Sequence, residues 1–360
     1  MLLKGGIPSV STMSRMLSAI DAELLCLTFM AWVGTYMDTR GRNIAIDGKG
    51  LRGGTRKIRG EMTPYMMNAV DTATKLVVGQ WPVNEKTNEA GMLPDFLKLL
   101  QLEESVVTID AIGTTGNIME ALHQANAHFV LQVKLNCPTL YKDIMEIFDV
   151  LEKEEKKDKE AFWKDNKEVY STYDPGPERN RERIEYRKVS EYHDPEGIDM
   201  FRGERPYVVS IAKCKQVRIE KMEDTEGNDI TPGLKEFLKK GSARQPYPEE
   251  GDGIRNAVQC VGLIADQVFS AETMAKIKRD HWIIEGSLHY VLDVTMGEDN
   301  CKIKKGREAM SALRKSAYNI MRLLQRKKEN VNKMMTEIMD EIIQDPALGL
   351  EYIFKPVMLN

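Results

Sequence analysis

The 360-residue chain lacks several features that would assign it to a class at once. No run of apolar residues approaches the roughly 20 needed to span a bilayer as a helix. The apolar stretch near the start, Leu24 to Val33, has no basic flank and no small-residue cleavage site. It reads as a buried helix, and no membrane partner is expected. Cysteine is scarce: Cys26, Cys137, Cys214, Cys260 and Cys301 are scattered, with no CxxC pair. That excludes a zinc ribbon and a disulfide framework and fits a reducing, cytoplasmic setting. A GxxxxGK[ST] loop is also missing. Gly48, Gly50, Gly53 and Gly54 resemble a phosphate loop only superficially, so no nucleotide cofactor is expected. Positive charge is not in excess either, since the formal net charge is −4. That argues against a generally basic nucleic-acid-binding surface, because phosphate neutralisation needs clustered Lys and Arg.

One segment departs from this balance. Between Lys302 and Lys328 stand Lys302, Lys304, Lys305, Arg307, Arg314, Lys315, Arg322, Arg326, Lys327 and Lys328, against the single acid Glu308. Taken alone, such a run is most simply a solvated helix face. Hydrophobic residues make up 42% of the chain, enough for one large core or a core with a sizeable insertion. The many methionines read as core filler.

Hydrophobic patterning gives an order of elements. Ser11 is expected to cap a helix running through Met30. Asn43 to Ile46 reads as a strand entering Asp47-Gly-Lys-Gly, a sequence expected to turn the chain. Tyr65 to Val70 and Leu76 to Val83 follow as strands, which suggests an antiparallel meander. A helix over Asn88 to Leu102, a strand over Val106 to Ile109, a helix over Asn117 to Asn126 and a strand over His128 to Val133 complete the series β-β-β-α-β-α-β. That order matches an α/β, RNase H-like fold, a mixed sheet flanked by helices. Leu140 to Val150 is amphipathic and runs into a mixed-charge block at 152–160. From Ser171 to Gly253 the chain is rich in Pro, Gly and charge, with strand-like stretches at Ile184 to Val189 and Tyr207 to Ala212. Ala257 to Ala265 reads as a strand, Ser270 as the cap of a helix from Ala271, and Trp282 to about Ile343 as helix. The expected plan is a helical segment at 1–40, the catalytic core at 41–135, a β-containing insertion at 136–255, the rest of the core at 256–345 and a tail at 346–360.

Asp47 and Asp110 each stand where an apolar strand is expected to end. Neighbouring strand ends can bring two carboxylates together, and two such anions are stable side by side only with a cation between them. Oxygen ligands of this kind suit Mg²⁺ or Mn²⁺. A third carboxylate would complete a two-metal site. The candidate is Glu285: at helical spacing His281, Glu285, His289 and Leu292 form one stripe. Two other readings stay open here. Glu285 could pair with its own histidines, or His281, Glu285 and His289 could hold zinc, although no HExxH is present. Lys49 and Arg52 could contact phosphate or simply decorate a turn. His123 and His128 read as surface residues, and His193 as a loop residue.

Four ordered blocks are more specific. Ile44-Ala-Ile-Asp-Gly-Lys-Gly-Leu-Arg-Gly53, Val83-Asn-Glu-Lys-Thr-Asn-Glu-Ala90 and Val107-Thr-Ile-Asp-Ala-Ile-Gly113 are followed by His281-Trp-Ile-Ile-Glu285, with Ser287-Leu-His-Tyr-Val-Leu-Asp-Val294 and Gly297-Glu-Asp299. Together they resemble the H-repeat-associated DDE transposases of bacterial insertion sequences, from about Gly6 to Leu324. The resemblance implies metal-dependent DNA cleavage and strand transfer, with Asp47, Asp110 and Glu285 as catalytic residues and ligands of two Mg²⁺ or Mn²⁺ ions. It further implies double-stranded DNA as partner (transposon ends and target), self-association on that DNA, and a place on the bacterial nucleoid. Lys49, Arg52, His281, Lys302, Lys304, Lys305, Arg307, Arg314 and Lys315 become candidate DNA contacts. His289 and Asp293 become groups that orient Glu285. The long interval between Asp110 and Glu285 is where the resemblance implies a β-rich insertion. Leu135, Cys137 and Gly286 depart from the pattern, and the helical region the family carries before Gly6 is not seen. A truncated copy that only binds DNA, or a nuclease without strand transfer, are the alternatives.

Overall fold

A computed structural model describes residues 8–52, 63–83, 89–180, 183–203, 205–220, 226, 228 and 257–354. Gly53 and Gly54, most of the block from Val83 to Ala90, and most of the loop-rich stretch 221–256 lie outside the described residues. The chain divides into two compact units. One draws on Met1–Ile112, Glu120–His128 and Asp280–Asn360, the other on Gly113–Met119 and Phe129–Arg279.

The first unit opens with two helices, α1 (Val10–Ala19) and α2 (Ala22–Gly34). Ser9 caps α1 by accepting from Thr12 N, and Asp21 caps α2 by accepting from Leu24 N. The expected single helix capped by Ser11 is therefore two. Ile20 is extended, and the short carboxylate of Asp21 satisfies a fresh set of helix N–H groups. Among the described residues no single helix is long and apolar enough to cross a membrane. The α1–α2 pair reaches that length and composition only across an 85° bend.

Four strands follow: β1 (Asn43–Gly50), β2 (Tyr65–Asp71), β3 (Val77–Val83) and β4 (Val106–Ile109). β1 pairs antiparallel with β2, β2 antiparallel with β3, and β1 parallel with β4. The spatial order β3-β2-β1-β4 is that of an RNase H-like sheet. The turn between β2 and β3 is closed by Asp71, whose Oδ2 accepts from Thr74 N and Thr74 Oγ1, while Lys75 takes a left-handed φ of 64°. Helix α3 (Glu89–Lys98) packs so close to β3 that a Cβ on Gly79 would lie 2.3 Å from Leu100 Cδ2 and 3.3 Å from the Phe96 ring. The second unit contains β5 (His128–Val133) from Phe129 onward, and α4 (Gly116–Gln124) carries residues of both units.

The second unit is built on an antiparallel sheet. After α5 (Pro138–Lys157) and α6 (Lys159–Asn166) come β6 (Tyr170–Tyr173), β7 (Pro177–Asn180), β8 (Arg183–Tyr192), α7 (Pro195–Arg202), β9 (Ser210–Glu220), β10 (Ala257–Ala265) and α8 (Ala271–His281). Strand order is β5-β10-β9-β8-β6, with β7 on β8. The apolar stripe Leu140, Ile144, Phe148 and Leu151 of α5 is buried, and Phe162, Trp163 and Tyr170 stack edge to face or tilted. The stretch expected to leave the core does supply strands of its own, β6 to β9. The unit boundary differs from the expected 136–255, however. β10 pairs with β5 on one side and β9 on the other.

The expected helix from Trp282 to Ile343 is interrupted. Ile284–His289 and Val291–Thr295 are wound as π-helix, and the α-helical segments that follow are α9 (Arg307–Gln325), α10 (Met335–Gln344) and α11 (Ala347–Phe354). Asn319 of α9 ties this region to the sheet. Its Oδ1 accepts from Val77 N at 2.9 Å, and its Nδ2 donates to Val77 O at 2.8 Å and to Tyr36 Oη at 3.1 Å. Replacement by alanine leaves buried β3 groups without partners. Asn319→Ala is expected to lower stability by about 2–4 kcal/mol in urea unfolding; a loss below about 1 kcal/mol would mean these bonds are readily replaced.

Candidate active site

Asp47 does not end its strand. β1 continues through Gly48, Lys49 and Gly50, paired with Met67, Met66 and Tyr65 of β2. Two glycines and a lysine read locally as a turn, yet the ladder with β2 satisfies their backbone groups and holds them extended. Asp47 itself lies opposite Asn68, and its Oδ1 accepts from Gly48 N at 2.9 Å. Asp110 does end its strand, leading into a 3₁₀ turn at Ala111–Gly113. The parallel pair Ile46↔Ile109 is the last of the β1–β4 ladder. The residue that follows each member of this pair is an aspartate, Asp47 within β1 and Asp110 just past the end of β4.

The glutamate segment packs along β1. Glu285 is exposed, whereas His281 is only 2% exposed and His289 is largely buried. The stripe expected at α-helical spacing is thus broken. Hydrogen bonds of the i→i+5 kind, such as Tyr290 N to Glu285 O, widen the turn and rotate residues four apart out of line. His289 Nδ1 lies 3.7 Å from Asp47 Oδ2, and Asn68 Nδ2 lies 3.5 Å from His289 Nε2. Burial, and then the cations of Lys49 and Lys315, push His289 down to about 3. It is neutral, and its contact with Asp47 is not an ion pair. Asn68 Nδ2 also faces the carbonyls of Met66 and Asp47, which fixes it as a donor. Nε2 is then the acceptor, and the imidazole proton sits on Nδ1, toward Asp47.

Three of the expected DNA contacts have partners inside the protein. His281 is buried, with Nδ1 2.9 Å from Thr108 Oγ1 on β4. Lys49 is 8% exposed and lies among carboxylates, 2.6 Å from Asp293 Oδ1, 3.3 Å from Glu298 Oε2 and 3.9 Å from Asp299 Oδ1. Lys315 is fully buried and donates to Ser311 Oγ at 3.1 Å. All three side chains are buried. Arg52, Lys302, Lys304 and Lys305 are exposed, while Arg307 and Arg314 are half-buried. Asp293 turns toward Lys49 rather than Glu285; its carboxyl is raised by burial, with Lys49 opposing and Asp299 and Glu298 reinforcing. Patterning missed Asn68, Thr108 and Glu298. For Asn68 a signal existed, a lone amide inside the apolar run Tyr65 to Val70.

Burial pushes Lys315 down to about 8, against the opposing charges of Glu298 and Cys26. Between about 8 and the ordinary lysine value the unfolded chain binds the extra proton. This group's contribution to stability therefore rises with pH across that window, and below it the charged form costs up to about 3 kcal/mol. Lys315→Met is expected to stabilise the protein at pH 7 by up to that amount, with the gain fading toward pH 10.5. Urea unfolding of both proteins at pH 7 checks it. Cys26, pushed up to about 11 by burial against the opposing charge of Lys315, titrates in the opposite sense, so the comparison is read at pH 7, below its titration. A loss of stability at pH 7 would show that pairing with Glu298 outweighs burial.

Two carboxylates offer the donor chemistry of a hard divalent cation. Beside them, Asn68 Oδ1 is buried without a hydrogen bond. Among the described residues, however, no three His, Cys, Asp or Glu side chains are grouped closely enough to hold a metal ion. The oxygen donors of Asp47 and Asp110 suit such an ion in kind.

Residues 38–320 match the family described as Transposase DDE domain. The chain is 28% identical over 320 residues to a protein named "Putative transposase YncI" from Escherichia coli O157:H7, covering 88% of this chain and 71% of that one. It is 29% identical over 324 residues to "H repeat-associated putative transposase YhhI" from Escherichia coli strain K12, covering 88% and 74%. Among solved structures, the piggyBac transposase synaptic complex with hairpin DNA is similar at a TM-score of 0.39 and 9% identity, over 89% of this chain and 55% of that one. That likeness is too distant to bear on the site.

Proposed function

Because this chain belongs to the transposase DDE domain family, we propose that it cuts and joins DNA strands with Asp47, Asp110 and Glu285 as its catalytic carboxylates. The observation that supports the reading is the parallel β1–β4 register, whose last pair, Ile46↔Ile109, comes immediately before Asp47 and Asp110. Asp47 and Asp110 would hold divalent ions, with Glu285 as the third ligand. Two Mg²⁺ or Mn²⁺ ions, when bound, would supply Lewis-acid stabilisation to the scissile phosphate. The chain's own part is to place the ligands. β1 and β4 fix the two aspartates, His281 pins the start of the glutamate segment to Thr108, and neutral His289 rests against Asp47 without competing for its charge. Arg52, Lys302, Lys304, Lys305, Arg307 and Arg314 would meet the DNA backbone. Double-stranded DNA, self-association on it and a place on the bacterial nucleoid belong to the same proposal.

A second reading has one observation in its favour. Among the described residues no three His, Cys, Asp or Glu side chains are grouped to hold a metal ion, as in a remnant that binds DNA without cutting it. Nicking of supercoiled plasmid in Mg²⁺ or Mn²⁺ separates the two. Joining of a labelled transposon-end oligonucleotide to plasmid then separates a transposase from a simple nuclease. Metal-dependent nicking and joining are expected; binding alone would leave the remnant reading.

A further inference from the structure

We propose that Lys49 is a positioning residue that clamps the glutamate-bearing segment onto strand β1; the proposal rests on the transposase reading for its catalytic consequence. Side chains alternate along a strand, so Lys49 projects from the same face of β1 as Asp47, two residues earlier. Its ammonium, nearly dry, reaches across to the far end of the π-helical stretch. There it donates to Asp293 Oδ1 at 2.6 Å and lies 3.3 Å from Glu298 Oε2 and 3.9 Å from Asp299 Oδ1. Asp293 belongs to the segment Val291–Thr295, and Glu298 and Asp299 follow the left-handed turn at Gly297. One cation thus gathers three carboxylates spread over seven residues of chain.

Glu298 makes that cation hard to replace. It is 3% exposed, and neither carboxylate oxygen has a hydrogen bond. Lys49 is close enough to offset its charge but out of line for a hydrogen bond. A dry, unbonded carboxylate without a nearby cation is strongly unfavourable. With Lys49 gone, Asp293, Glu298 and Asp299 repel one another, and the segment relieves this by opening toward water. The cation also sits at the C-terminal end of a helical segment, where positive charge is favoured.

The clamp acts on Glu285 through the helix between them. Lys49 holds the segment after Glu285, His281 holds it before Glu285 through Thr108, and His289 rests on Asp47 and Asn68 in between. Each anchor lies on a strand that carries one of the two aspartates or on its neighbour β2. The position of Glu285 relative to the two aspartate-bearing strands is therefore set by these contacts, with Lys49 supplying the strand-borne cation that meets Asp293 and Glu298.

The test uses the full chain and the variants Lys49→Met, Lys49→Arg, Asp293→Asn and Lys49→Met combined with Glu298→Gln. Amide hydrogen exchange is followed over residues 284–299, alongside metal-dependent plasmid nicking read as kcat and KM for DNA. Lys49→Met should speed exchange over 284–299 by about tenfold or more while β2 and β3 stay protected. It should lower kcat with KM nearly unchanged. Lys49→Arg should restore much of both, and the double variant should recover exchange protection because the stranded charge is gone. If Lys49→Met does not fold, Asp293→Asn should give the same local loss of protection. Unchanged exchange over 284–299 in the variant that folds would overturn the clamp. So would a raised KM at constant kcat, the signature of a phosphate contact. A wild-type chain that never nicks would defeat the transposase reading for this copy, and the exchange result would then decide the clamp by itself.

Discussion

Replacing Asp110 with asparagine is expected to cut metal-dependent plasmid nicking by about a thousandfold or more, the rate equivalent of several kcal/mol of lost transition-state stabilisation. Asparagine keeps the size of the side chain and removes its charge. β4 ends at Ile109, so the β1–β4 ladder does not depend on the substituted side chain, and the fold should survive. DNA affinity at fixed salt should change little, because Asp110 lies apart in sequence from the basic contacts. Asp47→Asn should behave alike in nicking. The control is a melting curve for each variant. Near-normal nicking by Asp110→Asn would remove the aspartate pair from the chemistry.

The second large effect concerns binding. Lys302, Lys304 and Lys305 are exposed and lie just before α9, whereas Lys315 within that helix is buried. Changing the three lysines to alanine together should weaken DNA affinity and reduce the slope of log K against log salt by about 2.7 if each meets one phosphate. Titrations at several salt concentrations measure this directly. Lys315→Met should leave the slope unchanged. A triple variant with the wild-type slope would move the DNA-binding surface elsewhere.

Much of the first unit was legible in the sequence because its signals are local. Apolar strands bounded by polar turns gave β2, β3 and β4 nearly to the residue, and the aspartates were found as acids attached to such strands. Other parts were set by contacts between distant residues. Asp47-Gly-Lys-Gly has the composition of a turn, and only pairing with β2 keeps it extended. The π-helical winding around Glu285 uses the same residues an α-helix would, so spacing counted at 3.6 residues per turn misaligned Glu285 with the histidines. Lys49 was read as a phosphate contact or a turn decoration because it comes just after Asp47. Its neighbours in space are Asp293 and Glu298, some 250 residues away. The pairing of β5 with β10 was likewise not legible, because neither strand carries a mark of which neighbour it will take.

The role of Glu285 is the most exposed part of the mechanism, since the other two carboxylates are placed by strand register and this one is not. The direct measurement is nicking of supercoiled plasmid in Mg²⁺ by Glu285→Gln, beside wild type, with DNA affinity measured at the same salt. Glutamine preserves size and hydrogen bonding but cannot supply an anionic ligand. Nicking by wild type and its loss in the variant, at unchanged affinity, is the expected result. Full nicking by Glu285→Gln would contradict a three-carboxylate site.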